Sequence, residues 1–178
     1  VTDLTKVVVE ELVHQFGARC TELLTIRSER RWQLANGDVG MLAGTEHVRQ
    51  SEWKVDPPTE DFLERRVELI GGANRSELIN GLNAGAKSYI ADLWNFTAQD
   101  TWSILRAHKS LVGAANRSLV YLDPLEGRVR IKPNSPTRLM VSPRSLYVFE
   151  PSFAVDGEHV PAGLFDVAMF VVACGKEL

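Results

Sequence analysis

The sequence predicts an α/β fold in which a helical N-terminal segment precedes about three βα units. Apolar residues recur at helical spacing from Leu4 to Leu34. Beyond residue 60, short apolar runs of strand length alternate with helical stretches. Such alternation is typical of a parallel sheet covered by helices. We therefore expect residues 1–60 to form a helical segment with an irregular connector, and residues 61–178 to form the α/β part.

The N-terminal segment has recognisable helix signals. Thr2 or Asp3 is suited to cap its start, and Asn36-Gly37 to end it. We predict one helix, or two if the chain breaks at Gly17. The connector that follows, "GDVGMLAGTEHVRQSEWKVDPPTEDF", has turn residues and no sustained period. A mixed-charge cluster at the end of the connector and just after it is interpreted as a solvated face and comprises Asp56, Glu60, Asp61, Glu64 and Arg65.

The α/β part divides into short elements. Three stretches are predicted as strands: "RRVELIGG", "KSYIADLW" and "RLMVS". Three are predicted as helices: "NRSELINGLNAG" with Asn74 as its cap, "TAQDTWSILRAHKSLVG", and the strongly apolar "PAGLFDVAMFVVACGKEL". "LVYLDPLEGRVRIK" reads as a hairpin.

Length limits the architecture. A closed eight-stranded α/β barrel takes about 250 residues, so 178 residues with a long helical segment hold only part of one. The last helix is apolar nearly all round, which is typical of a buried helix. We therefore predict a partial TIM-type (β/α) barrel. Its open surface is expected to be covered by self-association or by a second polypeptide that completes the barrel.

Composition excludes several classes of function. The net charge of −3 argues against nucleic acid and against an anionic membrane as partners. Cys20 and Cys174 have no disulfide or zinc spacing and are expected to be free, buried thiols. No apolar run is long enough to span a bilayer and no signal peptide is evident, so we expect a cytoplasmic protein. The histidines are scattered and are expected to be surface or helix residues: His14, His47, His108 and His159.

An ordered series of motifs resembles the N-terminal part of the malate synthase family. "WKVDPPTEDFLERRVELIGG" is similar to that family's W-K-V and R-R-V-E-I-T-G-P marks, and "INGLNAGAKSYIADLWN" to its I-N-A-L-N-S-G-A and A-D-F-E-D marks. "SPRSLYVFEP" is similar to R-P-R-G-W-H-L-P-E, and the "DGE" and "LFD" that follow match in order. The likeness extends over nearly the whole chain.

The resemblance implies an α/β barrel enzyme of the glyoxylate cycle that joins acetyl-CoA to glyoxylate. In the family, magnesium holds the keto acid, an aspartate acts as base and an arginine stabilises the developing charge. Family members that carry these carboxylates have them further toward the C-terminus than this chain extends. The resemblance therefore implies no metal or cofactor ligands here, and the cofactor stays unknown.

The same resemblance places Ser142 at the position of the family's catalytic arginine. A short neutral serine cannot supply a guanidinium fork, so no catalytic residue is expected to be intact. Arg144 matches the second arginine of the motif. It is predicted either to bind an anionic substrate or to form a structural salt bridge at a loop end.

The end of the second strand also departs from the family pattern, because Trp94 and Asn95 replace two carboxylates. Asp92 is retained, either as a ligand or to hold a loop. Trp94 is interpreted as packing or as a stacking surface, and Gly71-Gly72 as a plain turn or an anion-binding nest.

Three functions stay open at this stage. The chain is a malate-synthase-like acyltransferase that is inactive in isolation, a non-catalytic binding or assembly subunit, or a half barrel with altered acyl or keto acid chemistry.

Overall fold

The computed structural model describes residues 1–38, 40–42 and 44–175. The protein has a mixed α/β structure with a helix-rich N-terminus and three small sheets. In chain order the helices are α1 (Asp3–Ala35), α2 (Glu46–Gln50), α3 (Arg75–Asn83), α4 (Thr101–Ala115) and α5 (Ala162–Cys174). The strands are β1 (Glu68–Gly71), β2 (Ser88–Asp92), β3 (Val120–Asp123), β4 (Gly127–Arg130), β5 (Arg138–Ser142), β6 (Phe149–Val155) and β7 (Glu158–Pro161). The last three residues of the predicted final helix lie outside the described residues.

Helix α1 is a single helix of 33 residues, so the suggested break at Gly17 does not occur. Glycine in a helix interior costs only about 1 kcal/mol relative to alanine, and the neighbouring turns outweigh that cost. The helix begins where the Thr2 side chain accepts a hydrogen bond from the Thr5 amide at 3.2 Å. It ends at Asn36, as the sequence predicts.

The connector between α1 and β1 contains the short helix α2 and a 3₁₀ turn at Glu60–Phe62. Its residues from 46 to 60 are all exposed. The connector therefore runs over the surface and buries little apolar area.

The three predicted strands form one parallel sheet in the order β1-β2-β5. On one face of this sheet, Tyr89 and Ala91 of β2 and Val141 of β5 pack against the apolar sides of α3 and α4. The Asn74 side chain caps α3 by accepting from the Glu77 amide at 2.9 Å. Asp100 caps α4 in the same way, with the Ser103 amide as donor.

The opposite face of the sheet carries every second residue of each strand. Ile70, Ile90 and Met140 are in register across this face. Ile70 is 52% exposed, and the other two are half-buried. This face is therefore only partly covered within the chain.

Two antiparallel hairpins complete the fold. The β3–β4 hairpin is the one predicted from sequence, whereas the β6–β7 hairpin was not predicted. Helix α5 follows β7 and packs between α1 and α4, with Phe165 and Ala168 buried against Val9 of α1. The apolar final helix is thus covered largely by the chain's own first helix. The predicted division at residue 60 stays a prediction.

Among the described residues, no helix is both long enough and apolar enough to cross a bilayer.

Candidate functional site

The candidate site lies where the parallel strands end at their carboxyl edge. Asp92 at the end of β2 pairs in register with Ser142 at the end of β5. Both side chains are on the face of the sheet that turns away from α3 and α4, because their neighbours Ala91 and Val141 face those helices. The main chain continues this pairing, since the Leu93 amide donates to the Ser142 carbonyl at 3.0 Å.

The carboxylate of Asp92 holds the loop that follows β2. Its Oδ1 accepts from the amides of Trp94 at 2.7 Å and Asn95 at 2.9 Å, and its Oδ2 accepts from the Asn95 side chain at 2.8 Å. Burial acts to raise the pKa of Asp92, but these hydrogen bonds outweigh it and the pKa is lowered. Asp92 is therefore an ionised residue that holds the loop. Of the two roles considered for it from sequence, a ligand or a carboxylate that holds a loop, the geometry favours the second.

Ser142 is half-buried, and Arg144, two residues later, is buried with 3% of its surface exposed. The Arg144 guanidinium donates from Nε and Nη2 to the two oxygens of Asp166 on α5, at 2.9 and 2.8 Å. Its Nη1 lies 2.8 Å from Oε2 of Glu150 on β6. The geometry thus favours the structural ion pair for Arg144. Substrate binding by this residue stays a prediction.

Around Arg144 extends a buried polar network that the sequence did not predict. The Asp166 carboxylate also contacts Nε2 of His108 on α4 at 3.0 Å, and it accepts the Arg144 amide at 2.8 Å. The other oxygen of Glu150, Oε1, accepts a hydrogen bond from the Ser152 amide at 3.1 Å. We refer to His108, Arg144, Glu150 and Asp166 as the buried ionic network, to which the exposed Ser152 adds hydrogen bonds. It connects α4, α5, β6 and the loop after β5.

Electrostatics explains why the two carboxylates of the network stay charged. Burial acts to raise the pKa of Asp166, but hydrogen bonds from His108 and Arg144 and the positive charge of Arg144 lower it overall. The pKa of Glu150 is lowered as well, because hydrogen bonds from Ser152 and Arg144 exceed the effect of burial. His108 lies on a helix, as expected, but it is a buried member of this network.

Trp94 and Tyr147 occupy the space beside the strand ends. Their rings meet edge to face with centroids 6.2 Å apart. The Arg27 guanidinium of α1 lies 4.2 Å from the centre of the Tyr147 ring, so α1 contacts this end of the sheet through a cation–π interaction. Trp94 is thus packed against an aromatic neighbour.

Gly71 and Gly72 at the end of β1 allow the loops to approach closely. A Cβ atom on Gly72 would lie 2.6 Å from the Phe96 carbonyl oxygen and would also overlap the Glu77 carboxylate. The Gly72 carbonyl accepts from the Tyr89 hydroxyl at 2.8 Å, and burial raises the pKa of Tyr89 to about 12. The Glu77 carboxylate and the Phe96 carbonyl oxygen lie next to Gly72 and would repel an anion. This favours the plain turn over an anion-binding nest.

A basic cavity of about 610 Å³ lies between the start of α3, one side of α4 and the loop after β2. Its lining includes three cationic side chains and no acidic one: Arg75, Arg106 and Lys109. Phe96, 55% exposed, supplies an apolar wall. The sequence did not point to this cavity, because Arg75 of α3 is far in sequence from Arg106 and Lys109 of α4.

The described residues do not match the magnesium site that the resemblance implies for the family. No three His, Cys, Asp or Glu side chains within them lie close enough together to hold a metal ion. At the strand ends, the Asp92 oxygens are already occupied by hydrogen bonds from the following loop. No step of the chemistry can therefore be assigned to a metal held by these residues.

The sheet and its site define a class of protein: an α/β protein with parallel strands whose polar residues gather at the carboxyl edge. No family model matches the chain. It is 31% identical to malate synthase A of Escherichia coli (strain K12) over 161 residues, which cover 90% of this chain and 30% of that protein. It is 30% identical to malate synthase of Streptomyces clavuligerus over 173 residues, covering 94% of this chain and 32% of the other. It is 28% identical to malate synthase of Arabidopsis thaliana over 163 residues, covering 91% and 29%.

These matches confirm the resemblance stated from the motifs: the chain is related to the malate synthase family. It spans about 30% of the length of the curated relatives that it matches.

Proposed function

We propose that this chain is a malate-synthase-like protein with a partial α/β barrel, and that it does not condense acetyl-CoA with glyoxylate by itself. The observation that carries the proposal is the pair Ser142 and Arg144 at the end of β5. The position matched to the family's catalytic arginine holds a neutral side chain. The neighbouring arginine has its guanidinium engaged by Asp166 and Glu150.

The partial barrel is supported by the arrangement of the parallel sheet. Its strands are joined through helices that cover one face, as in barrel proteins. The other face has a row of apolar side chains, Ile70, Ile90 and Met140, with polar residues beyond it at the carboxyl edge. Additional strands beside β1 and β5 would cover this face and shield both edges of the sheet.

Catalysis by the isolated chain is disfavoured on energetic grounds. Loss of a single donor to a developing oxyanion costs about 2.7–4 kcal/mol, which corresponds to a rate about 10²–10³ times lower. Ser142 lacks the fixed positive charge that the family reaction uses. Among the described residues, no three His, Cys, Asp or Glu side chains lie close enough together to hold the metal ion that the family reaction uses.

We also propose that the chain binds the acyl donor, acetyl-CoA, and the basic cavity supports this part of the proposal. Acetyl-CoA carries several phosphate groups, and Arg75, Arg106 and Lys109 present three positive charges on one side of the molecule. Phe96 offers an apolar surface in the same cavity. We therefore assign this cavity to the phosphorylated end of acetyl-CoA.

The proposal is tested by measuring acetyl-CoA binding and turnover on the same preparations. Titration calorimetry gives the binding, and thiol release in the presence of glyoxylate and magnesium gives the turnover. We expect binding without glyoxylate-dependent release, both for the natural chain and for Ser142→Arg. The variant restores the guanidinium but not the metal ligands or the base.

Charge reversal identifies the site of binding. Arg106→Glu is expected to weaken acetyl-CoA binding about tenfold or more, because it places a carboxylate beside the phosphates. Arg128→Glu, on the exposed β4 strand, makes the same change in charge and should leave binding unaltered. Glyoxylate-dependent release by either the natural chain or Ser142→Arg would refute the inactive assignment. If Arg106→Glu and Arg128→Glu weakened binding equally, the assignment of the cavity to acetyl-CoA would be wrong.

A second candidate function, that of an assembly subunit, is favoured by the surface of the molecule. The chain exposes 12142 Å² of accessible surface. A compact monomer of 19.8 kDa exposes about 8600 Å². The excess of about 3500 Å² includes strongly exposed apolar side chains such as Trp53, Val55 and Leu125, which a partner would cover.

A further inference from the structure

Beside the basic cavity stands an aromatic side chain that contributes little to the core. Trp102, in the first turn of α4, is 75% exposed. Because most of its large apolar ring stays in water, the ring gains packing energy only when a further molecule covers it. The position of this ring relative to the cavity is therefore informative about what the cavity binds.

Helix geometry places Trp102 next to two cationic side chains of the cavity. Arg106 follows it by four residues and Lys109 by seven, so the three side chains lie along one side of α4. Both cations line the cavity and are exposed. Trp102 thus lies at the rim of the cavity, toward the N-terminal end of α4.

The cations of the cavity keep donors available for an anion. Arg75 donates to the Val120 carbonyl at 3.5 Å, and Arg106 donates to the Ser103 hydroxyl at 3.3 Å, so both acceptors are neutral. Asp100 interacts electrostatically with Arg106, but its carboxylate accepts the Ser103 amide as the cap of α4 and does not line the cavity. A guanidinium has several N–H donors, which suits it to phosphate oxygens.

We propose that the basic cavity and Trp102 together bind a purine nucleotide, with the phosphates in the cavity and the base stacked on the Trp102 ring. Cations that hold phosphates, beside an aromatic ring that stacks on a base, are the usual components of a nucleotide site. The phosphorylated end of acetyl-CoA is such a nucleotide, an adenosine that carries phosphates. The inference rests on the proposed function in using the same cavity, and it adds that the base is recognised by Trp102.

A site of this kind recognises the nucleotide whether or not an acyl group is attached. Adenosine 3′,5′-bisphosphate should therefore bind and should displace acetyl-CoA. Pantetheine lacks both the base and the nucleotide phosphates, so it should do neither. The net charge of −3 favours a small nucleotide over a nucleic acid strand.

Titration calorimetry on the full 178-residue chain separates the two parts of the site. Trp102→Ala should weaken binding of adenosine 3′,5′-bisphosphate about tenfold, because the stacking contact is lost. It should leave binding of inorganic pyrophosphate unaltered, and Trp102→Phe should retain most of the nucleotide affinity. Trp32→Ala is the matched control, because Trp32 is 69% exposed on α1 and does not line the cavity. It should change neither affinity.

Tryptophan fluorescence reports the stacking contact directly. The nucleotide should quench the emission of the natural chain and of Trp32→Phe. In Trp102→Phe, which still binds, that quenching should be lost.

The outcomes distinguish this inference from the proposed function. If acetyl-CoA binds but Trp102→Ala leaves nucleotide affinity unaltered, the inference is wrong and the proposed function stands. If the nucleotide binds through Trp102 but acetyl-CoA does not bind, the assignment of the cavity to the acyl donor is wrong and the nucleotide site stands. An oligoadenylate that binds more tightly than the mononucleotide would overturn the assignment to a small nucleotide.

Discussion

The buried ionic network predicts a large loss of stability when Asp166 becomes neutral. The Asp166 side chain is fully buried and receives hydrogen bonds from Nε and Nη2 of Arg144, from the Arg144 amide and from His108. Asp166→Asn keeps the volume but removes the charge, and its amide group meets the donors of Arg144. The guanidinium would then be balanced only by Glu150.

The magnitude follows from leaving the buried Arg144 with one carboxylate where it had two, and from turning an amide donor toward its N–H groups. Removing one partner of a buried pair destabilises proteins by about 3–5 kcal/mol. We expect Asp166→Asn to lose at least about 3 kcal/mol of unfolding free energy, a substantial share of the roughly 5–15 kcal/mol typical of a domain. With a urea dependence of about 2 kcal/mol per molar, the unfolding midpoint should fall by about 1.5 M.

Urea unfolding followed by circular dichroism measures this loss directly. Asp156→Asn is the matched control, because Asp156 pairs with His14 at 2.8 Å but both side chains are mostly exposed. An exposed pair contributes at most about 1 kcal/mol, and asparagine accepts the positive φ of 52° at this position. A loss below about 1 kcal/mol for Asp166→Asn would refute the conclusion that the network holds α5 to the loop after β5.

Two further predictions concern pH and packing. The lowered pKa values of Asp166 and Glu150 mean that their stabilisation is complete above the ordinary carboxyl pKa of about 4 and is lost as the pH falls through the native values. Urea midpoints should therefore drop below about pH 4, and Asp166→Asn should flatten that decline. Gly81→Ala on α3 should destabilise the protein by about 1–3 kcal/mol because its Cβ would overlap the Tyr89 ring. Gly17→Ala on α1, where the Cβ meets only Val13 at 3.5 Å, should instead stabilise by up to about 1 kcal/mol, and equal effects in urea unfolding would contradict this packing argument.

Local signals were sufficient to predict most of the regular structure. The strands β1, β2 and β5 are apolar runs bounded by turn residues, and α3 begins at the capping residue Asn74. The β6–β7 hairpin was missed although Asp156-Gly157 stands between its strands, a dipeptide that favours tight turns. Pro151 obscured that signal, because proline is unusual in a strand and here accompanies a shift in register.

Only the part of the candidate site formed by the ends of the predicted parallel strands could be expected from the sequence. Asp92 and Ser142 end neighbouring strands, so their pairing follows from the parallel arrangement. The network around Arg144 could not be predicted in this way. His108 lies 58 residues from Asp166, and their contact depends on how α4 packs against α5. Sequence periodicity indicates that a helix has a buried side but not which helix will cover it.

The structure separates two roles that adjoining residues have at the end of β5. Arg144 is buried among carboxylates, so replacing it would leave Asp166 and Glu150 without their counter-charge, at a cost of several kcal/mol. Ser142 is half-buried and carries no charge, so the fold has no comparable need for a particular side chain there. A chain under selection for folding but not for condensation would therefore tolerate substitution at residue 142 and resist it at residue 144. This asymmetry fits the proposal that Ser142 stands at the position of the family's catalytic arginine while the ion pairs of Arg144 are kept.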